Sequence, residues 1–551
     1  MRGQTGTVSA TDPADGKQDG HKDPSDPPIA SKTLSIRSLG VLTSLGGLGA
    51  LVGLVQTVVV AWIFGATRSI EIFFAATTFN TLLLQLASSG QVGDIFTPIF
   101  HAIQKQHGTD SARRAVSAMT NMMVIIAALL SIIATFFAPL IARYLVPGFS
   151  ESDTRLCGYV FMATAPLMVL QVSAAMLENF LRAEHRYGIS ETLNLVGRIG
   201  NLVLLLVLGK LIGLWILVLG LWFGAATQLF GQSVYLYRFG YRHSFCLSTP
   251  HFQTGTVLRQ LPFAFTHILS SQFFSFALTA SLSYLPEGSY AAYNYARQLV
   301  SKFHGVVQRP ISVLFFNRFS QAIAEGASRV REYADHALGL SIALNTLCVV
   351  PSAASGDLLL MGLWGSEKFA AETVKETHLM LVAISCLLYF SGQYLVTRRT
   401  NLALKVVARQ FLASGVVLLI SGGLCFLLVP RYGLIGAIMV QFISSIGVAL
   451  SALAVLSRVD RSLVAVLSPR KMLSWTVSAA AAIAITYLAR HVVGTTMSSG
   501  RLELLASGTG LALLSCVSCL VFSWMLGVPE SREIFRMVIK RLGRRMVAHH
   551  A

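Results

Sequence analysis

The sequence predicts an all-α, polytopic integral membrane protein with about fourteen transmembrane helices, built as two six-helix lobes plus a C-terminal pair. Three observations predict it. Of the 551 residues, 54% are hydrophobic and only 12% are charged, with a mean hydropathy of +0.63. An average soluble domain carries roughly twice that charge, so lipid must solvate much of this chain. Apolar runs of spanning length then follow one another from about residue 38 to 526. Finally, the loops between them are short and unequal in positive charge.

Residues 1–33 are rich in Asp, Lys, Gly, Pro and Ser and almost free of large apolar side chains, which predicts a disordered cytoplasmic tail. No apolar core follows a short basic start, so the tail does not read as a signal peptide. The predicted spans are 38–64, 70–100, 116–142, 156–181, 190–209, 212–237, 258–284, 290–316, 334–363, 376–396, 404–429, 433–457, 472–489 and 503–526. The longest internal linker, 239–256, separates an N-terminal six-helix lobe (34–238) from a C-terminal one (257–457). The last two helices occupy 458–526. The tail at 527–551 carries Arg532, Arg536, Lys540, Arg541, Arg544 and Arg545. Its Ile534, Phe535, Val538, Ile539 and Leu542 share one face, which predicts a basic amphipathic helix suited to an anionic cytoplasmic leaflet. Two six-span halves are a common transporter plan, with substrate bound where the halves meet.

The net charge of +18 is scattered between apolar runs and not gathered on one face. No nucleic-acid partner is therefore expected; the lipid bilayer is the partner, and the positive-inside rule accounts for the charge. With the N-terminus in the cytoplasm, the even-numbered loops hold about 18 Lys or Arg and the odd-numbered loops about nine. Both termini are thus expected to be cytoplasmic, in a multi-pass protein of the bacterial inner membrane. The seven cysteines fall mostly in apolar runs, and Cys516 and Cys519 read as small packing residues of a span. No P-loop, no H-E-x-x-H and no G-x-S-x-G is present. The expectation is a transporter and not an enzyme, without cofactor or metal, its energy drawn from membrane potential, a cation gradient or substrate flux.

Polar residues inside spans carry the functional signal, because burying them in lipid is costly. Span eight holds Arg297, Lys302 and His304, with Arg309 beyond. Arg297, Ser301 and His304 share a helical face. Span two holds Gln85 and Asp94 in a Gly-rich stretch ending at Pro98, the pattern of a bent helix beside a cavity. Asp94 is a candidate ion or counter-charge site, or a solvated residue near the cytoplasmic end. Arg198 in span five, flanked by Asn194 and Asn201, and His267 in span seven fit either a site or polar packing between helices.

The stretches Trp62-Ile63-Phe64-Gly65-Ala66, Ser89-Gly90-Gln91-Val92-Gly93-Asp94 and Tyr295-Ala296-Arg297, taken together, resemble MurJ-type (MviN) lipid II flippases. The stretch Val58-Val59-Val60-Ala61-Trp62-Ile63-Phe64-Gly65-Ala66 looks like the end of that family's first span. Phe73-Phe74-Ala75-Ala76 and Ser89-Gly90-Gln91-Val92-Gly93-Asp94-Ile95-Phe96-Thr97-Pro98-Ile99 resemble its second. Ala138-Pro139 with Val146-Pro147-Gly148-Phe149, His185-Arg186-Tyr187 and Tyr295-Ala296-Arg297 follow in the family's order. The resemblance implies membership of the multidrug/oligosaccharidyl-lipid/polysaccharide exporter superfamily. It implies alternating access between two lobes, a cavity lined by spans one, two, seven and eight, and a polyprenyl-pyrophosphate-linked saccharide as cargo. It also implies a lipid-tail groove on the last two spans. Where that family carries arginines in spans one and two, this chain has Ala50, Gln56 and Leu84. Ser89 stands where an acidic residue is usual, and Gln298 aligns with the span-eight arginine. The expected substrate-binding set is accordingly Arg297, Lys302, His304, Gln56, Gln85, Asp94, His267 and Arg198. The expected function is a flippase for lipid II or an exopolysaccharide precursor. A flippase-like scaffold that engages envelope glycan-synthesis proteins and a small-molecule exporter are the alternatives.

Overall fold

The computed structural model describes residues 36–88, 90–184, 186–249, 254–305, 327–404, 406–459, 469–494 and 500–536, and it is all-α. The 1–33 tail, Arg309, the side chain of Asp94 and residues 537–551 lie outside the described residues. The first half comprises α1 (Ile36–Phe64), α2 (Arg68–Ser88), α3 (Gly90–Phe136), α4 (Ala138–Leu145), α5 (Glu151–Thr164), α6 (Leu167–Ala183), α7 (Tyr187–Ile212) and α8 (Trp215–Arg238). The second half comprises α9 (Thr254–Leu282), α10 (289–305), α11 (Ala327–Trp364), α12 (Ala371–Ala403) and α13 (Val407–Val459). Then come α14 (Pro469–Val493), α15 (Arg501–Met525) and α16 (529–536). Among the described residues ten helices are long and apolar enough to cross a membrane. Helices suit that solvent because each satisfies its own backbone polar groups.

Where the helices depart from the hydropathy spans, the cause is local. The predicted second span runs over α2 and the start of α3, and Ser89 between them lies outside the described residues. Spans three and four are each broken ahead of a proline, at Phe137 before Pro139 and at Ala165 before Pro166. Proline has no N–H to continue the ladder. Trp222 Nε1 donates to the Ala163 carbonyl at the second break, 3.0 Å away. Spans eleven and twelve both fall in α13, which turns at Gly433 (φ 59°, ψ −136°) just after Pro430.

In the first half α1 packs on α7, α7 on α8, α3 on α6 and α2 on α5. In the second half α9 packs on α13, and α12 lies between α11 and α13. The final pair, α14 and α15, packs on α11. Ion pairs fasten it near both ends of α14. Arg490 meets Asp357 at 2.8 Å, and Lys471 bridges Asp335 at 2.7 Å and Glu530 at 3.0 Å. Glu530, Ser531 and Ile534 are buried, so the start of the basic tail helix is seated on protein. All seven cysteines are free; Cys519 is fully buried, and Cys516 Sγ lies 3.7 Å from the Leu347 carbonyl.

Candidate functional site

The two halves meet firmly at the end of the bundle where α1 ends and α2 begins. Glu71, in the first turn of α2, is completely buried. Its Oε1 accepts backbone N–H bonds from Gly288 at 2.9 Å, Tyr290 at 3.0 Å and Ala291 at 3.1 Å, at the start of α10. Its Oε2 takes a bond from Arg68 Nη1 at 2.7 Å. A carboxylate belongs there: the first turn of a helix leaves N–H groups unpaired and carries the positive end of the macrodipole. The Arg68 amide adds a 2.5 Å bond to Glu287, and Gly148 N donates to Ser283 Oγ at 3.0 Å.

The same seal extends to the loop between α11 and α12. Gly65 has φ +65°, and a Cβ there would lie 2.3 Å from the Lys368 carbonyl. Only glycine fits both the backbone angle and the close approach. Ala66 N donates to that carbonyl at 3.2 Å, and Lys368 Nζ returns a bond to Ile63 O at 3.1 Å. Beneath it Tyr295 donates to Gly65 O at 2.8 Å and packs on Phe74, Trp364 and Phe369, with ring centroids 5.2 to 5.8 Å away. Sequence reasoning missed Glu71. An acid at i+3 from Arg68 at the edge of a span reads as a local ion pair, although its apolar neighbours Ile70, Ile72, Phe73 and Phe74 were a signal of burial.

Deeper in the bundle two cations converge on α1. Arg198 of α7 donates from Nη1 to Gly49 O at 2.9 Å and from Nε to Asn194 Oδ1 at 3.0 Å. Lys302 of α10 donates to Gly53 O and to Thr57 Oγ1. A Cβ on Gly53 would lie 3.0 Å from Arg198 Nη1 and 3.5 Å from Lys302 Cε, so both cations border the same small residue. Thr57 also donates to Gly53 O at 3.0 Å, with Gln298 Oε1 at 3.4 Å. Among the described residues no carboxylate forms an ion pair with Lys302. Gln56 is half-buried beside Thr57 on the same helix.

The remaining predicted residues lie apart from this pair. Arg297 is exposed, bonded to Asn294 Oδ1 at 3.4 Å and 6.0 Å from the Tyr293 ring centroid. Five residues separate it from Lys302, about 140° around the helix. His304 is half-buried, and its Nδ1 has no hydrogen-bond partner. Gln85 accepts a 2.6 Å bond from Gln272 Nε2, joining α2 to α9. His267 is engaged within the second half: Nδ1 lies 3.0 Å from Ser414 Oγ and Nε2 3.5 Å from Tyr394 OH, and its ring stacks on Phe411. Polar packing between helices describes that arrangement.

Away from the spans, the linker after α8 is tied to α3. Asn121 Nδ2 donates to the carbonyls of Ser244 and Cys246, each at 2.9 Å, and its Oδ1 lies 2.7 Å from His243 Nε2. Partial burial holds His243 below the usual histidine range.

Known proteins share both sequence and fold with this chain. The family model "Lipid II flippase MurJ" matches residues 60–506. A "Probable lipid II flippase MurJ" of Buchnera aphidicola subsp. Baizongia pistaciae is 24% identical over 135 residues, 24% of this chain and 26% of that protein. That match therefore spans only about a quarter of the relative's length. A "Probable lipid II flippase MurJ" of Thermotoga maritima is 21% identical over 388 residues, 70% of this chain and 76% of that protein. A solved structure, "Lipid II flippase MurJ, inward closed conformation", superposes with a TM-score of 0.69 at 18% identity, covering 91% of this chain and 100% of that one. At that identity the superposition speaks for the fold, and the family model speaks for kinship: the chain belongs to the MurJ lipid II flippase family.

Proposed function

We propose that this chain is a flippase that carries a polyprenyl-pyrophosphate-linked saccharide across the bacterial inner membrane by alternating access between its two lobes. The observation that carries this reading is the convergence of Arg198 and Lys302 on Gly49 and Gly53 of α1. Positive charge inside a membrane protein is costly and marks substrate or ion pathways. A lipid pyrophosphate crossing a low-dielectric region needs such charge, since an isolated buried ion costs many kcal/mol. Arg offers a planar fork for two phosphate oxygens, and Lys a compact point charge.

The seal around Glu71 and Gly65 supports alternating access. It joins the halves at one end through bonds that can form and break as a unit. The loop-charge bias assigns that end to the outside and both termini to the cytoplasm, so the state is closed outward. With no P-loop in the sequence, the membrane potential or a cation gradient drives the cycle. A lipid-linked precursor of another surface polymer fits as well as lipid II, because Ala50, Gln56 and Leu84 hold the places of that family's arginines.

The test is flipping of a fluorescent polyprenyl-pyrophosphate saccharide in vesicles without ATP. Arg198→Gln and Lys302→Gln should each reduce the rate at least tenfold with normal insertion. Arg297→Ala measures whether the exposed guanidinium contributes as well, and Arg458→Ala, outside the spans, should transport like the parent. A parent chain that inserts but does not flip the lipid refutes the transport reading and favours the scaffold.

A further inference from the structure

The third and fourth predicted spans enclose a groove of about 650 Å³ that the transport reading does not use. One wall runs from Ala128 through Thr135 to Pro139 on α3 and α4; the other is Met162, Pro166 and Val169 across α5 and α6. These spacings follow the helical period, so each wall is one helical face. The lips Ile132, Phe136 and Met162 are exposed and apolar, as are the neighbouring Leu129, Ile133 and Leu140. Such a surface on a spanning helix faces hydrocarbon. Both walls break where the groove lies. Pro139 and Pro166 have no N–H, and each ring crowds the carbonyl four residues back. Those carbonyls belong to Thr135 and Met162, which line the groove.

What fills the groove follows from its lining. A buried water needs two to four polar partners, and the lining is apolar apart from Ser131 and Thr135. A hydrocarbon chain is the fitting occupant. Yet apolar burial alone cannot favour this place over the surrounding bilayer, because lipid tails are as apolar as the groove. Residence of one lipid has to come from close packing and from its headgroup.

The headgroup end is marked by charge and by aromatic rings. Arg143, in the last turn of α4, stands one turn beyond Pro139 on the same face and is exposed. The opposite wall continues through Tyr159 to Arg155 at helical spacing. Tyr144 and Tyr159 are exposed at this end, as in an interfacial aromatic belt. The two acids of the adjoining loop are engaged. Glu151 lies within the field of Arg143 but pairs with Arg155 at 2.5 Å, and Asp153 accepts the Ser150 hydroxyl at 2.6 Å. Among the described residues no carboxylate forms an ion pair with Arg143.

We propose that this groove is a binding site for an anionic phospholipid, with one acyl chain between the two proline breaks and the phosphate on Arg143. The loop-charge bias places that lipid in the outer leaflet. Arg143 suits a phosphodiester, because its planar fork meets two phosphate oxygens at once. Phosphatidylethanolamine carries its own ammonium and gains less from the guanidinium. The site is separate from the cargo path, so it stands whatever lipid-linked saccharide the protein carries.

The test uses the full chain in nanodiscs of mixed phosphatidylglycerol and phosphatidylethanolamine. Either lipid carries a diazirine midway along one acyl chain, and labelled peptides are mapped after illumination. The phosphatidylglycerol probe should label 128–139 and 162–169 well above the equally exposed apolar face of α7 at Leu206, Val207 and Leu211. Equal labelling of the groove and α7 reduces the site to ordinary bilayer contact and overturns the proposal. Arg143→Gln, at an exposed position, should lower groove labelling by phosphatidylglycerol about fivefold, the worth of one cation at an anionic lipid surface. It should leave labelling by phosphatidylethanolamine unchanged. Equal labelling by the two lipids in the parent overturns the anionic headgroup. Ala128→Leu, which fills the groove, should abolish groove labelling and leave α7 labelling intact; groove labelling that persists in a correctly inserted variant refutes the chain's placement. Phe136→Cys in a chain without other cysteines should stay monomeric under oxidation. A disulfide-linked dimer would give the groove to a second copy of the chain and refute the lipid.

Discussion

Replacing Glu71 by alanine tests the seal where it is most concentrated. The carboxylate takes three backbone N–H bonds at 2.9 to 3.1 Å and one guanidinium bond at 2.7 Å, and its side chain has no exposure to solvent. Alanine would leave three N–H groups at the start of α10 without their acceptor and Arg68 without its partner. Removing one member of a buried charged pair costs about 3–5 kcal/mol. The loss falls only on the sealed state, because the bonds cross between halves. At 1.4 kcal/mol per decade, the sealed-to-open ratio should fall by a factor on the order of 10² to 10³. Ala75 lies one turn beyond Glu71 and is fully buried. The labelling rate of Ala75→Cys by a thiol reagent applied from the sealed side should rise at least a hundredfold when Glu71→Ala is added. Glu71→Gln, which keeps one oxygen and loses the charge, should give an intermediate rate. An unchanged rate in Glu71→Ala would show that the aromatic packing around Tyr295 holds the seal without the carboxylate.

Three other outcomes are expected. Cysteines at Tyr284 and Glu367, both exposed near the sealed end, should react with an impermeant reagent from outside intact cells, and cysteines at His107 and Val459 should not; the reverse pattern inverts the topology. Lys471→Ala leaves the almost fully buried Glu530 without its cation and should cost about 3 kcal/mol, read as a lower melting temperature in detergent. Lys375→Ala, from an exposed pair with Glu372, should cost about 0–1 kcal/mol, and equal melting shifts would contradict the assigned role of Glu530. His243 has its folded pKa depressed, so the unfolded or undocked linker after α8 binds protons more readily, and docking weakens as pH falls through the ordinary histidine range. Tryptic cleavage of the linker after Arg242, measured relative to His243→Gln at each pH, should therefore quicken below about pH 6.5 in the parent, and an unchanged ratio would contradict the role given to His243.

Most of the fold was legible because hydropathy reports a helix's solvent directly. The limits of α7 and α8 fall within a few residues of the predicted spans five and six. The breaks were legible in part: Pro139, Pro166 and Pro430 stand at three of them. What hydropathy cannot report is azimuth against a neighbour. Periodicity placed Arg297, Ser301 and His304 on one face of α10, and the cation that meets α1 is Lys302, on another. Arg198 and Lys302 are separated by more than a hundred positions in sequence, and nothing local to either names Gly53 as the residue between them. Glu71 was hidden for a related reason. Its principal partners are backbone N–H groups 217 to 220 positions away, which carry no side-chain signature at all.

One helix carries both contacts that matter most. The N-terminal end of α10 is held by Glu71, and Lys302 lies about 20 Å further along it, at 1.5 Å per residue. Among its described residues α10 contains neither proline nor an internal break, so it transmits displacement as a rod and does not absorb it. A tilt that draws the start of α10 away from Glu71 must therefore also move Lys302 relative to Gly53. The two sites need no chain of intervening side chains to be coupled. The carboxylate at one end and Lys302 at the other act on the same helix.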